Sequence, residues 1–144
     1  MNVLLDTPIW SLVLRRQARE RRPKDDLIVQ EFRQLVEDER VRIIGPIRQE
    51  ILSGIKEERH YERIKRELRR VEDEPLTTSD FELAAKLYNR CRSHGVAGSD
   101  VDLLICAVAL DRNWLVYTTD LDFNRYAKVT GVHLHAVPDF NPIH

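Results

Sequence analysis

Short apolar runs alternate along this chain with longer segments whose apolar residues recur at helical spacing. Four runs are predicted to be buried strands because they are brief, rich in bulky residues and bounded by polar residues, at 3–5, 41–44, 114–118 and 132–135. A fifth, weaker segment at 75–78 is expected to be a short edge strand. Strands separated by helices indicate a parallel sheet covered on both faces. The predicted fold class is therefore α/β, a three-layer α/β/α sandwich with a central parallel sheet.

Seven helices are expected between and around these strands. Thr7 and Pro8 are typical of an N-cap and a first helical residue, so a first helix should reach Arg15. A second helix is predicted with Ile28, Phe32, Leu35 and Val36 on one face, and a third, opened by Gly45-Pro46, with Ile47, Ile51 and Ile55 on one face. A solvated charged helix is expected within 56–74, and the next helix starts with a Ser79–Glu82 capping box and has Phe81, Ala84, Tyr88 and Cys91 on one face. The last two are a buried helix over 103–110 and a short helix over 122–128.

Length, composition and charge narrow the class of protein. The 144 residues have the size of one domain, 1–144, and 42% hydrophobic residues suffice for a core. The net charge of −1 carries no global signature of a nucleic-acid binder, so such a role would need a local patch or a bound cation. Cys91 and Cys106 lack a CxxC partner and are expected to be free buried thiols in a reducing cytoplasm. No apolar run reaches the ~18 residues of a membrane span, and the N-terminus does not resemble a secretory signal.

Acidic residues follow the predicted strands where a ligand site is expected. Asp6 and Asp120 each come just after a strand, and parallel α/β sheets bind ligands at that edge. Glu50 lies on the helix after the second strand, and Asp102 lies in the first turn of the buried helix. Four neighbouring carboxylates repel one another, and a hard divalent cation such as Mg²⁺ removes that cost. The pattern predicts a metal site suited to hydrolysis of a phosphodiester.

Each acid also has an ordinary structural explanation when it is taken alone. Asp102, with Ser99 three residues before it, fits a helix cap, and an acid in a first turn is favourable with the helix dipole. Asp122 fits the N-cap of the helix that follows it, and Asp100 fits a loop or capping acid. It is the convergence of Asp6, Glu50, Asp102 and Asp120 on one edge that favours a site.

Four motifs in this order resemble those of the PIN-domain nucleases, and among them the VapC-type toxin ribonucleases of type II toxin–antitoxin systems. They are LLDTPIW, RQEILSGI, DLLICAVA and LVYTTDLDF, with Cys106 where the family usually has alanine. The resemblance implies a PIN fold, a cytoplasmic location, dependence on Mg²⁺ or Mn²⁺ and endonucleolytic cleavage of RNA. It further implies a homodimer and inhibition by an antitoxin encoded beside it.

The same resemblance assigns roles to residues. Asp6, Glu50, Asp102 and Asp120 are the implied catalytic quartet, in which Asp6 and Asp102 bind the metal directly, Asp120 holds metal-bound water or a second ion, and Glu50 orients or deprotonates the attacking water. Asp122, Thr118, Asp100 and Thr7 are expected to support them, Thr7 through its hydroxyl or only as an N-cap. Three arginines predicted to lie near this edge are candidates for RNA phosphate contacts or simply solvated: Arg15, Arg16 and Arg48.

Other functions stay open at this point. The chain also fits a PIN nuclease of RNA processing without a toxin's role, or a PIN-like module that binds a metal without turnover. A haloacid-dehalogenase-type phosphatase is disfavoured because Asp6 is followed by Thr-Pro and not by x-Asp. Transfer RNA is the commonest target of the resembled family, but nothing in the sequence selects a particular RNA.

Overall fold

Four short parallel strands form one sheet in the part of the chain described by the computed structural model, residues 1–15 and 21–137 without the Arg15 side chain. The strands are β1 (Val3–Leu5), β2 (Val41–Arg42), β3 (Leu115–Tyr117) and β4 (His133–Leu134), in the spatial order β2-β1-β3-β4. Val3 is paired with Val41 on one side and with Leu115 on the other. The order reverses around β1, so the carboxyl ends of β1 and β3 lie side by side.

Seven helices surround this sheet within the same residues. They are α1 (Thr7–Arg15), α2 (Pro23–Glu37), α3 (Gly45–Ser53), α4 (Glu58–Leu68), α5 (Thr78–Ser93), α6 (Asp100–Arg112) and α7 (Asp122–Thr130). The predicted α/β class with a central parallel sheet is confirmed. None of the described helices is both long and apolar enough to cross a membrane.

Helix α6 is the central helix of the core. Every residue from Leu103 to Ala109 is buried, because its apolar residues cover the whole circumference and α5, α7 and β3 pack around it. The predicted buried helix is thus confirmed. Asn113 ends α6 in the left-handed conformation, which Asn tolerates well, and the chain then enters β3. Cys106 in this helix and Cys91 in α5 are buried free thiols.

Two predicted features at the edge of the sheet are wrong. Strand β2 ends at Arg42, and Ile43 makes only an isolated bridge to Asp73. Residues 75–78 form no strand, since the chain there leads into α5. The guanidinium of Arg112 explains this path, because it donates to the Pro75 carbonyl at 3.0 Å and to the Glu74 carboxylate at 3.0 Å.

The start of α5 was predicted two residues too late. Thr77 is the N-cap, and its N–H donates to the Asp80 carboxylate at 2.8 Å, so the box is Thr77–Asp80 and not Ser79–Glu82. This shift rotates the buried face, and Phe81 is 53% exposed. Asp80, and not Glu82, is the acidic residue of the capping box because Arg112 also donates to its carboxylate at 2.8 Å.

The charged segment 56–74 forms a shorter helix than its length suggests. Helix α4 ends at Leu68 and buries only Ile64 and Leu68. Its C-terminal end is fastened to α3 by Arg48, which donates to the Leu68 carbonyl at 3.0 Å and to the Val71 carbonyl, and which pairs with Asp73 at 2.9 Å.

Candidate active site

Asp6 lies where β1 ends, at the carboxyl edge of the sheet. Its N–H donates to the Tyr117 carbonyl at 2.9 Å, which extends the β1–β3 pairing by one residue. The Asp6 side chain is only 5% exposed. Its carboxylate accepts hydrogen bonds from the Thr118 hydroxyl at 2.8 Å and from the Thr7 N–H at 2.9 Å.

Burial raises the pKa of Asp6 to about 6, because an ionised carboxylate loses its hydration there. The bonds from Thr118 and Thr7 act in the opposite direction, and the negative charges of Asp102 and Glu50 raise the pKa further. Asp6 therefore lies within electrostatic reach of two other members of the predicted quartet, which come from α6 and α3.

Asp120 is joined to Asp6 through Thr118. The Thr118 hydroxyl donates to Asp6 and accepts from the Asp120 N–H at 3.0 Å. One Asp120 oxygen accepts from the Asp122 N–H at 2.9 Å. The expected supporting role of Thr118 thus has a structural basis, since one hydroxyl fixes the relative position of the segments that carry both acids.

Asp122 is not the N-cap that its position suggested. Leu121 is the N-cap of α7, and Asp122 is the first helical residue. Asp120 supplies the acceptor at this helix start, and the Asp122 carboxylate pairs with Arg125. The prediction failed because two acids two residues apart compete for one capping position, and the sequence does not rank them.

Asp102 projects from the first turn of α6. Its N–H donates to the Ser99 hydroxyl at 3.1 Å, which confirms the predicted cap. One carboxylate oxygen accepts from the Tyr126 hydroxyl at 2.8 Å. The pKa of Asp102 is raised, mainly by burial, while the Tyr126 bond lowers it and the charges of Asp120 and Asp122 raise it.

Glu50 reaches the same region from the exposed side of α3. The Thr7 hydroxyl donates to its carboxylate at 3.1 Å, so Thr7 contacts Asp6 through its N–H and Glu50 through its side chain. This contact, together with the electrostatic effect of Glu50 on Asp6, places Glu50 at the border between the buried acids and solvent.

The remaining predicted residues are placed differently. Asp100 is exposed at the first position of α6. Arg48 does not lie beside the site as expected, because its guanidinium is bound to Asp73 and to two carbonyl groups near the end of α4. Arg16 and the Arg15 side chain lie outside the described residues.

Tyr126 is the site residue that the sequence reading missed. Its ring is buried against Phe123, and its hydroxyl is bound to Asp102. The available signal was its place three residues after Phe123 on the apolar face of α7, where a buried tyrosine needs a polar partner.

The donor set fits a hard divalent cation bound partly through water. Within the described chain, no ion pair to Lys, Arg or His neutralises any of the four acids, Asp6, Glu50, Asp102 and Asp120. The raised pKa values of Asp6 and Asp102 agree with this lack of a cationic partner. Over residues 1–15 and 21–137, no three His, Cys, Asp or Glu side chains converge closely enough to hold an ion by themselves. Mg²⁺ usually binds through one or two carboxylates and keeps several waters, which suits this arrangement.

Comparisons with known proteins agree with this fold. The model of the PIN domain family matches residues 3–129. Similar solved structures include FitAcB from Neisseria gonorrhoeae, with 21% identity over 99% of both chains and a TM-score of 0.71. VapBC2 from Rickettsia felis bound to a promoter DNA fragment has 17% identity over 94% of this chain and 98% of the other, with a TM-score of 0.74.

VapBC-1 from nontypeable Haemophilus influenzae has 20% identity over 94% of this chain and 97% of the other, with a TM-score of 0.68. A search of curated proteins gave no match. The family match covers most of the sequence and includes all four acids of the site. This chain belongs to the PIN-domain family.

Proposed function

We propose that this PIN domain is a divalent-metal-dependent endoribonuclease and the toxin of a toxin–antitoxin pair. The observation that carries the proposal is the group of four carboxylates, without basic partners among the described residues, that four separate segments bring to the carboxyl edge of the sheet. Membership of a family whose domains are generally nucleases supports it.

Asp6 and Asp102 are the proposed direct ligands of Mg²⁺, or of Mn²⁺, and Asp120 acts through a bound water or a second ion. When bound, the ion polarises the scissile phosphate and lowers the pKa of a water. The Thr118 hydroxyl links the Asp6 carboxylate to the Asp120 backbone and so fixes their relative position. The Tyr126 hydroxyl donates to one oxygen of Asp102 and orients it.

Glu50 is the proposed general base or orienting group for the attacking water. Its side chain is exposed and forms no ion pair with a cationic residue in the described chain. Oε2 accepts a hydrogen bond from the Thr7 hydroxyl, and Oε1 is available to accept a proton from the water. Asp6 is less suited to that role because two hydrogen bonds and burial restrict both of its oxygens.

Solved structures of similar fold support the proposed partners. VapBC and FitAB are toxin–antitoxin complexes, and two of them were solved with DNA. By analogy we propose a cognate antitoxin encoded beside this chain, a homodimeric toxin and a cytoplasmic location. The proposed substrate is structured RNA such as transfer RNA.

Incubation of the purified protein with bulk transfer RNA tests the activity. Cleavage should require Mg²⁺ or Mn²⁺ and stop with EDTA. Asp102→Asn should reduce it at least ~100-fold, because the variant loses a charge aimed at the metal. Asp111→Asn is the matched control, since Asp111 is exposed near the other end of the same helix. Equal activity of both variants would remove the site assignment.

Induced expression in a bacterial host separates the biological roles. Growth arrest that depends on Asp102 supports the toxin. Cleavage in vitro without an effect on growth favours a nuclease of RNA processing, and metal binding without cleavage favours a non-catalytic module.

A further inference from the structure

Helix α4 carries a line of arginines on its solvent-facing side. Arg59, Arg63 and Arg66 are spaced i, i+4 and i+7, so they share one face of the helix, and all three are exposed. The opposite face is buried through Ile64 and Leu68. These three arginines are called the basic stripe below.

The basic stripe is poorly neutralised by the rest of the protein. In the described part of the chain, Arg59 and Arg66 form no ion pair, and Arg63 contacts Glu67 only at 4.0 Å with both side chains well exposed. An exposed ion pair of this kind adds little stability and neutralises the arginine only weakly. Glu62, on the flank of the stripe, pairs with Lys65 at 2.9 Å.

Like charges at this spacing destabilise a helix, so local stability does not explain the pattern. The chain as a whole has a net charge of −1, which makes a concentrated positive line a local feature. Such a line attracts a polyanion through electrostatic contacts that do not depend on sequence.

The chemistry of the stripe favours a phosphate backbone over other occupants. A helix that binds a lipid surface or a protein groove presents apolar side chains beside its charges. The apolar residues of α4 with full burial, Ile64 and Leu68, are already used in the core, and the stripe itself contains only guanidinium groups. Arginine is well suited to phosphate because its planar fork donates two parallel hydrogen bonds.

We infer that the basic stripe binds the sugar–phosphate backbone of the RNA substrate outside the cleavage site. The inference rests on the proposed ribonuclease function. Helix α3 separates the two regions, since it directs Glu50 toward Thr7 of α1 and Arg48 toward the end of α4. The stripe therefore contributes to substrate binding and not to the chemical step. Arg70 is left out because it lines a separate cavity with Glu39 and neighbouring acids.

The test compares two triple variants with the same change in charge. The stripe variant carries Arg59→Gln, Arg63→Gln and Arg66→Gln. The control carries Lys86→Gln, Arg90→Gln and Arg92→Gln, which are exposed residues of α5. Binding of bulk transfer RNA is measured over a range of salt concentrations with Asp6→Asn added to every protein, so that the RNA stays intact.

In a plot of the logarithm of the RNA association constant against the logarithm of the salt concentration, the slope should become shallower by about 2 for the stripe variant. Each lost phosphate contact reduces the magnitude of this slope by about 0.7 to 0.9. The control should keep the parent slope. With Asp6 restored, the stripe variant should show a KM at least ~10-fold higher and an unchanged kcat, as expected for lost uniform binding.

The outcomes separate this inference from the proposed function. Equal salt slopes of the stripe and control variants, with circular dichroism showing both folded, overturn the stripe while cleavage by the wild type still stands. Stripe-dependent RNA binding by a protein that never cleaves supports the stripe and overturns the nuclease. Loss of self-association in sedimentation, with RNA affinity unchanged, assigns the stripe to a second copy of the chain and overturns the inference.

Discussion

Replacement of Asp6 by asparagine should make the metal-free protein more stable while it abolishes cleavage. Asparagine has nearly the same shape as aspartate but cannot ionise. The wild-type carboxylate is buried beside two other acids, and its pKa is raised to about 6. At neutral pH the folded wild type must therefore keep a charge that its surroundings disfavour.

The size of this cost follows from the pKa. A rise from 3.8 to about 6 corresponds to about 3 kcal/mol, at 1.36 kcal/mol for each pH unit. Because the folded pKa is the higher one, the cost is absent below pH 3.8, grows as the pH rises toward 6 and is constant above it. Rearrangement of the hydrogen bond from Thr118 in the variant costs about 1 kcal/mol. The free energy of unfolding of Asp6→Asn at pH 7.5 should therefore be about 2 kcal/mol higher than that of the wild type.

Urea unfolding in EDTA at pH 7.5 and pH 4.5 measures this effect. At pH 4.5 the charge cost falls to about 1 kcal/mol, so the two proteins should be nearly equally stable. Mg²⁺ added at pH 7.5 should stabilise the wild type more than the variant. A variant that is less stable at pH 7.5, or a difference that is the same at both pH values, would refute the reasoning.

Two further predictions concern the fold around the site. Arg112→Met should destabilise the protein by about 3 kcal/mol at pH 7 in urea unfolding, because it leaves the buried Asp80 unpaired. Its effect should shrink as the pH falls from 3.8 toward 2, since Arg112 lowers the pKa of Asp80 to about 2, and a constant effect would contradict this account. Gly98→Ala should cost about 1–3 kcal/mol by thermal unfolding, because its new Cβ would lie 2.3 Å from Cδ2 of the buried Leu103. Gly45→Ala, where a new Cβ has no neighbour within 4 Å, is the control and should change stability by less than about 1 kcal/mol.

The grouping of the four acids was predictable because they stand at positions that the topology brings together. Asp6 and Asp120 follow β1 and β3 directly, and parallel neighbours end at the same edge of a sheet. The predicted cap of α6 at Ser99 was correct for a different reason, since it depends only on a contact between residues three apart. Which hydroxyls orient the acids was harder to foresee. Thr118 was expected to support them, whereas Tyr126 was missed because its bond to Asp102 links α7 to α6.

The sequence by itself determined the alternation of strands and helices, the buried α6 and the placement of the four acids just after strands or on helices, because hydrophobic periodicity and local capping act over a few residues. Only the tertiary structure decided the choices between equivalent local options. Arg112 selected Asp80 over Glu82 at the start of α5, and Arg48 turned toward the end of α4 and away from the acids. It also raised the pKa of Asp6, since a pKa depends on burial and on neighbouring charges from distant segments, which local patterns do not contain.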